Sequence, residues 1–278
     1  MASGTCNYVA GRFWEFVFLP MQTDIGPHLS SSTLYFVSDV HLGVGDPETE
    51  REKQALLLEL LSHVQEEATA LYIVGDLFDF WYEYKHVVPR GYHNILSRLE
   101  QLVSSGIPVT YLAGNHDFAI GDSFMIDLGV RIEHNDFEAL HDDRKFYMFH
   151  GDGLTNRDAG YRILKRVLRN SFSRWLFRLI HPDMGFALAR SVSHKSRGYT
   201  SSKKYGELDG QREEAERRIK AGADFVIMGH SHRPVLENIG SGVYVNLGDW
   251  IKHRTFAIYK DSSIHLYEFQ DREPRQIL

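Results

Sequence analysis

Five stretches of this chain share one pattern that constrains the fold more than any other feature. Each is a short apolar, β-favouring run that ends on a cluster of Asp, Asn or His, in four cases next to glycine. Leu34–Val37 leads into Asp39-Val40-His41, and Leu71–Val74 into Gly75-Asp76. Val109–Ala113 leads into Gly114-Asn115-His116-Asp117, and Phe146–Phe149 into His150-Gly151-Asp152. Phe225–Met228 leads into Gly229-His230-Ser231-His232. Runs of four or five apolar residues closed by turn residues read as strands. Between them, Glu48–Glu67, Gly91–Ser105 and Gly210–Ala221 read as helices. In the first of these, Leu57, Leu60, Leu61 and Val64 fall on one face. Val243–Leu247, Thr255–Tyr259 and Ile264–Phe269 read as closing strands. The alternation predicts an α/β fold with a more strand-rich C-terminal part.

Strand ends are where such a fold gathers its chemistry, because loops outside the carboxyl ends of the strands converge. Two residues apart at a strand end, Asp39 and His41 point the same way. Adjacent glycines permit sharp turns and close backbone approach. Together the five clusters supply enough oxygen and nitrogen donors for two metal ions. Two-metal hydrolysis needs one carboxylate to bridge ions roughly 3.5–4 Å apart, and Asp76 is the candidate bridge. Asp39, His41 and His232 complete one site, and Asn115, His150 and His230 the other. A mixed oxygen and nitrogen set suits Mn, Fe or Zn better than Ca or Mg, which prefer oxygen alone. Asp152 reads either as a group orienting a ligating His or as a turn residue. His63, His93, His134, His141, His181 and His253 fall in no motif and read as surface or partly packed residues.

Bulk properties narrow the alternatives. One cysteine, Cys6, excludes an intrachain disulfide, so any metal is held by His, Asp, Asn or Glu. A net charge of −6 gives no global case for nucleic acid. No stretch approaches the roughly 18–20 apolar residues of a spanning helix. The apolar segment Tyr8–Met21 is interrupted by Arg12 and Glu15 and reads as part of an N-terminal extension, 1–32, not a signal peptide. The main domain is expected over 33–278. Within it, Gly153–Lys204 carries 12 Lys and Arg against 2 acidic residues, Asp158 and Asp183. Tyr161, Leu164, Leu168, Trp175, Leu176 and Leu179 recur there at helical spacing. This predicts a helical insertion at about 153–208 whose apolar stripe is either ordinary packing or a surface for lipid.

The ordered set DxH, GD, GNHD, HGD and GHxH, each behind a strand, resembles the calcineurin-like metallophosphoesterase superfamily over roughly Leu34 to Phe269. The resemblance implies an αββα sandwich with a helical cap. It implies that His116 meets the scissile phosphate rather than a metal, and that Asp117 orients it. Three further runs are similar to the UDP-2,3-diacylglucosamine pyrophosphohydrolases of lipid A biosynthesis. They are Asn156–Arg162, Gly75–Trp81, and Ser193–Arg197 followed by Ser201-Ser202-Lys203. The best-known branch of that family reads Gly-Asn-Arg-Asp where this chain has His116, and tends to carry Asn at the position of Thr200. What the resemblance implies is Mn-dependent cleavage of UDP-2,3-diacylglucosamine to UMP and 2,3-diacylglucosamine 1-phosphate. Asn115, Asp158, Ser196, Lys203 and His232 match its substrate-binding positions. Its partners would be the lipid-linked UDP-sugar and the anionic inner face of the inner membrane, with a cytoplasmic, peripheral location. The competing expectations are a metallophosphoesterase for a soluble nucleotide or phosphodiester, and a metal-binding interaction module without catalysis.

Overall fold

The computed structural model describes residues 31–84, 86–117, 119–154, 170–187 and 206–278. Ser31–Leu278 forms one compact unit. Its strands, in chain order, are β1 (Leu34–Val37), β2 (Ala70–Val74), β3 (Val109–Leu112), β4 (Arg131–Glu133), β5 (Phe137–His141) and β6 (Arg144–Met148). After them come β7 (Phe225–Met228), β8 (Pro234–Ile239), β9 (Gly242–Leu247), β10 (Thr255–Lys260), β11 (Ser263–Gln270) and β12 (Glu273–Gln276). The helices are α1 (Pro47–Glu67), α2 (His93–Ser104), α3 (Ser123–Leu128), α4 (Ser171–Phe177) and α5 (Gly206–Lys220). A further helical run covers 182–187.

The strands form a seven-stranded sheet, β12-β11-β10-β1-β2-β3-β4, and a five-stranded sheet, β5-β6-β7-β9-β8. Neighbours from β1 to β4 are parallel, as are β6, β7 and β9. The period of two in the strands builds the layers. In β1, Tyr35 and Val37 join the cluster formed with Leu57, Leu60 and Val64 of α1 and Leu99 of α2. Leu34 and Phe36 point the other way, into the core between the sheets with Phe146, Phe225 and Ile227. In β7, Val226 and Met228 turn outward to Ala215 and Ile219 of α5. Helices therefore cover both outer faces, and the fold is the expected αββα sandwich. Phe36 stacks on Tyr72 at 5.2 Å and on Phe146 at 5.9 Å. Truncating such a ring to Ala in a packed core costs about 3–5 kcal/mol.

The apolar runs of the sequence reappear as β1, β2, β3, β6, β7, β9, β10 and β11, with ends shifted by two residues at most. Sequence reading missed α3, β4, β5, β8 and β12. These strands are edge or next-to-edge and expose polar residues, so neither a buried run nor a strong alternation marks them. The insertion expected at about 153–208 is described only in part, over 153–154, 170–187 and 206–208.

Helix α1 fixes the loop that carries the first cluster. Asp46 caps it, accepting from Glu48 N at 2.9 Å and Thr49 N at 3.0 Å, with Pro47 in the first turn. Buried Lys53 reaches back to donate to the His41 carbonyl at 2.6 Å. Hydrogen bonds from Thr49 and Glu48 hold the Asp46 carboxyl at about 2, below its ordinary 3.8. A depressed carboxylate stabilises the fold above its unfolded value, and that share is lost as pH falls through the folded one. Asp46→Ala is therefore expected to lower the Tm at pH 7, with the gap from the parent shrinking between pH 4 and pH 2 in thermal melts. A gap that stays constant from pH 7 to pH 2 contradicts this role.

Candidate metal centre

The parallel register of β1, β2 and β3 brings their loops side by side, and backbone pairing continues past the strand ends. Asp39 N donates to Gly75 O at 3.1 Å, and His41 N to Asp76 O at 3.0 Å. From the second sheet, Gly229 N donates to His150 O at 3.0 Å, joining the loops after β6 and β7. Side chains then tie the two sheets together. Asp39 Oδ2 accepts from His230 N at 2.8 Å, and His150 Nδ1 donates to Val74 O at 2.9 Å.

Backbone conformation at these loops is unusual. Asp39, His41, Asp76, His230 and His232 all have left-handed φ, between 49° and 69°. Non-glycine residues seldom adopt it, and such strain of order 1–3 kcal/mol each persists where the surroundings enforce it. Gly75 is required as glycine, since its φ is +85° and a Cβ would collide with the His150 ring and the Gly114 backbone.

Seven side chains converge. Asp39, His41 and His232 offer ligand atoms within 4.8 Å of one another, and Asp76, His150 and His230 form a second such group. His41 Nε2 lies 3.2 Å from His232 Nε2, and Asp39 Oδ1 lies 3.6 and 3.3 Å from these two nitrogens. His150 Nε2 sits 3.0 Å from Asn115 Oδ1 and 3.2 Å from Asp76 Oδ2. Asp76 Oδ2 also lies 3.8 Å from His41 Nε2, so one carboxylate reaches both groups. Because His150 Nδ1 donates to Val74 O, a neutral ring would point the Nε2 lone pair at two oxygens. Such a convergence of acceptors is stable only around a cation, either a proton or a metal ion. Buried Asp39 Oδ1 has no hydrogen-bond partner, which is a second mark of a cation site. The donor set thus fits two divalent ions that share Asp76.

Electrostatics carry the same message. Burial alone would raise Asp39 and Asp76, yet the positive His150 and the neighbouring His41 hold both carboxyls well below their usual range. Burial would lower His41 and His150, but the surrounding carboxylates raise them to about 9 and about 10. For His41 the carboxylates of Asp39 and Asp79 dominate, and for His150 the charge of Asp76. Without metal, then, the cluster takes up protons to balance its buried carboxylates.

His116 lies against this cluster. One of its ring nitrogens groups with His41 and Asp76, and its ring meets that of His41 edge-on at 4.7 Å. Asp117 was expected to orient it; the described contacts of the two residues run elsewhere. His116 Nδ1 faces the Asp79 carbonyl at 2.9 Å and the Asp79 carboxylate at 3.4 Å. The wholly buried Asp117 instead accepts from Tyr111 Oη and from Gly114 N at 2.7 Å, bracing its own turn. Burial and the charge of Asp76 raise the Asp117 carboxyl to about 6. Asp79 was legible as the carboxylate three residues after Asp76, but it was read only as part of a family-like run. Asp249 was missed altogether. It accepts from Ile251 N, Lys252 N and His253 Nδ1 and lies 4.0 Å from His232 Nδ1. His253 is therefore tied to the rim of the site. Asp152 contributes to the raised pKa of His150. Among the family-matched substrate positions, Asn115 and His232 are in the cluster. Asp158, Ser196 and Lys203 lie outside the described residues.

The chain belongs to the calcineurin-like phosphoesterase family, whose match spans residues 32–234. It is a metal-dependent hydrolase by class. Its curated relatives narrow the comparison. It is 31% identical to the UDP-2,3-diacylglucosamine hydrolase of Porphyromonas gingivalis over 265 residues, covering 87% of this chain and 99% of that protein. It is 32% identical to the enzyme of the same name from Pseudomonas fluorescens, covering 88% and 98%. Among solved structures, the E. coli phosphoesterase Yfce aligns with 88% of this chain and 98% of its own at 17% identity, with a TM-score of 0.44.

If Asp76 serves both ions, Asp76→Asn is expected to weaken uptake of both. Equilibrium dialysis against Mn2+ should show affinity reduced by more than about 100-fold, beyond the ~10–100-fold typical of groups that only support a ligand. Retention of one ion at parental affinity contradicts the shared position.

Proposed function

We propose that this protein hydrolyses UDP-2,3-diacylglucosamine to UMP and 2,3-diacylglucosamine 1-phosphate. The observation that carries the reading is the near full-length similarity to hydrolases named for that substrate. The clustered Asp, Asn and His side chains give it a chemistry. In this reading Asp39, His41 and His232 hold one ion, Asn115, His150 and His230 the other, and Asp76 both. The mixed donor set favours Mn2+, with Fe or Zn as the alternatives. When bound, such a pair acidifies water and offsets phosphoryl charge.

The chain's own groups supply the rest. Water adds to the α-phosphorus, the bond from that phosphorus to the bridging oxygen breaks, and the oxygen departs with the lipid phosphate. His116 is the group facing the developing charge. Burial would lower its pKa, but the charge of Asp76 and the hydrogen bond to Asp79 raise it, which favours a protonated ring. A protonated imidazole at that place stabilises the phosphorane-like charge or gives its proton to the leaving oxygen. His116 occupies the position of the Arg found in the best-known branch and keeps its positive charge, which makes the replacement compatible with the same reaction.

The lipid half of the substrate has a candidate surface beside the site. Phe177 packs on Tyr82 at 4.5 Å, and Phe186 on Phe80 at 5.2 Å, just after Asp79. The same segment exposes Phe172, Trp175, Leu176, Leu179 and Met184, each by more than half. Packing and exposure thus divide the apolar stripe between them. Large apolar side chains exposed in a basic segment suit an acyl chain or an anionic membrane surface. No helix among the described residues is long and apolar enough to cross a membrane. A peripheral place on the cytoplasmic face of the inner membrane follows from this reading.

Purified protein with UDP-2,3-diacylglucosamine, detergent and Mn2+ is expected to release UMP, to stop with EDTA and to resume with added Mn2+. Absence of UMP alongside brisk hydrolysis of a soluble phosphodiester favours the competing substrate class. His116→Ala is expected to lower kcat by ~10²–10⁴-fold with Mn2+ content unchanged. Metal loss as deep as in Asp76→Asn overturns the role of His116.

A further inference from the structure

Buried polar side chains outside the ligand set point to one residue in particular. Gln211, in α5, is fully buried and touches no candidate ligand side chain through any hydrogen bond described. Its Nε2 donates to two carbonyls, Gly151 O at 3.2 Å and Gly229 O at 3.1 Å. Gly151 follows His150, and Gly229 precedes His230. Its Oε1 accepts from Asn246 Nδ2 at 3.1 Å and Tyr244 Oη at 3.4 Å. Asn246, also fully buried, donates a second bond to Gly229 O at 2.8 Å and accepts from Gly248 N at 3.1 Å. Both amides are thus satisfied, and a fully satisfied buried network holds its members in one arrangement.

We propose that Gln211 is a positioning residue that clamps the loops carrying His150 and His230, and so sets the geometry of one ion site of the pair. The inference rests on the assignment of those two histidines to one site. The levers are short. Each clamped carbonyl is adjacent to a ligand-bearing residue, and His150 and His230 stand only 5.1 Å apart ring to ring. His230 also holds a left-handed backbone that needs enforcement from its surroundings. Gly151, with φ of +102°, leaves the room Gln211 needs, since a Cβ there would stand 2.6 Å from Gln211 Nε2. Gln211 and Asn246 make no described hydrogen bond to Asp39, His41 or His232, although the Gly229 loop runs on to His232 and its His230 N donates to Asp39 Oδ2 at 2.8 Å. Both clamped loops carry a ligand of the same group, His150 or His230, while only one runs on to His232, so a loss of Gln211 acts mainly on one side of the centre.

That asymmetry separates positioning from general structural support. Gln211→Glu keeps the acceptor for Asn246 and removes both donors to the loops, while Gln211→Leu removes every bond Gln211 makes and leaves Asn246 on Gly229 O. Mn2+ alone is the probe, titrated into the full chain with bound ion counted by equilibrium dialysis and the coupled pair followed by electron paramagnetic resonance. Both variants are expected to keep the first ion at parental affinity and to bind the second at least ~10-fold more weakly, with loss of the coupled-pair signal. Uptake of two ions at parental affinity, or equal weakening of both, overturns the clamp. Should Gln211→Leu fail to fold, Asn246→Asp carries the same test, because it retains the acceptor for Gly248 N and loses the donors to Gly229 O and to Gln211 Oε1. A smaller weakening confined to the second ion is then expected, and unchanged uptake overturns it. No substrate enters these measurements. A parent that binds two ions yet releases no UMP refutes the substrate reading and leaves the clamp standing.

Discussion

Two carboxylates, Asp39 and Asp76, are buried to within 1% of complete exclusion from solvent and remain ionised, and the site is built around that fact. An unpaired carboxylate in such surroundings is prohibitively costly, so it must be matched by hydrogen bonds and cations. Backbone N–H groups supply part of the match, with His116 N donating to Asp76 Oδ1 at 2.8 Å and His230 N to Asp39 Oδ2. Imidazole rings supply the rest, and in doing so take up protons that metal ions replace. One demand, charge compensation in a dry place, thus explains the histidines, the raised pKa values of His41, His116 and His150, and the dependence on metal.

Meeting that demand recruits both sheets. The parallel sheet delivers Asp39, His41, Asp76 and Asn115 from three neighbouring strand ends, and the second delivers His150, His230 and His232. Sandwich packing through Phe36, Phe146 and Phe225 sets the distance between the two sources. The strained backbone at five of these residues is sustained by bonds that cross between loops, such as Asp39 N to Gly75 O. Stability drawn from the apolar core is spent locally on a preorganised cluster.

Much of this was legible in the residues. Apolar runs ending on Asp, Asn or His mark buried strands and their carboxyl ends, because both signals are local. The face of α1 was legible for the same reason, through Leu57, Leu60, Leu61 and Val64. Contacts between distant segments were not. Nothing near Gln211 signals that its amide bridges two loops 60 and 18 residues away. Asp79 is one member of a family-like run until it is seen against His116, and Asp249 carries no signal until His232 appears beside it. The left-handed turns are invisible as well, since five are made by Asp and His rather than glycine. Strands β4, β5 and β8 hid because they are short or edge-placed and partly polar.

The central claim is a pair of ions sharing Asp76, with His116 outside the ligand set. A crystal grown with Mn2+ and measured at the manganese absorption edge tests it most directly. The account predicts two anomalous peaks, one beside Asp39, His41 and His232 and one beside Asn115, His150 and His230, with Asp76 contacting both. A single peak, or a peak ligated by His116 in place of His41 or His150, contradicts it.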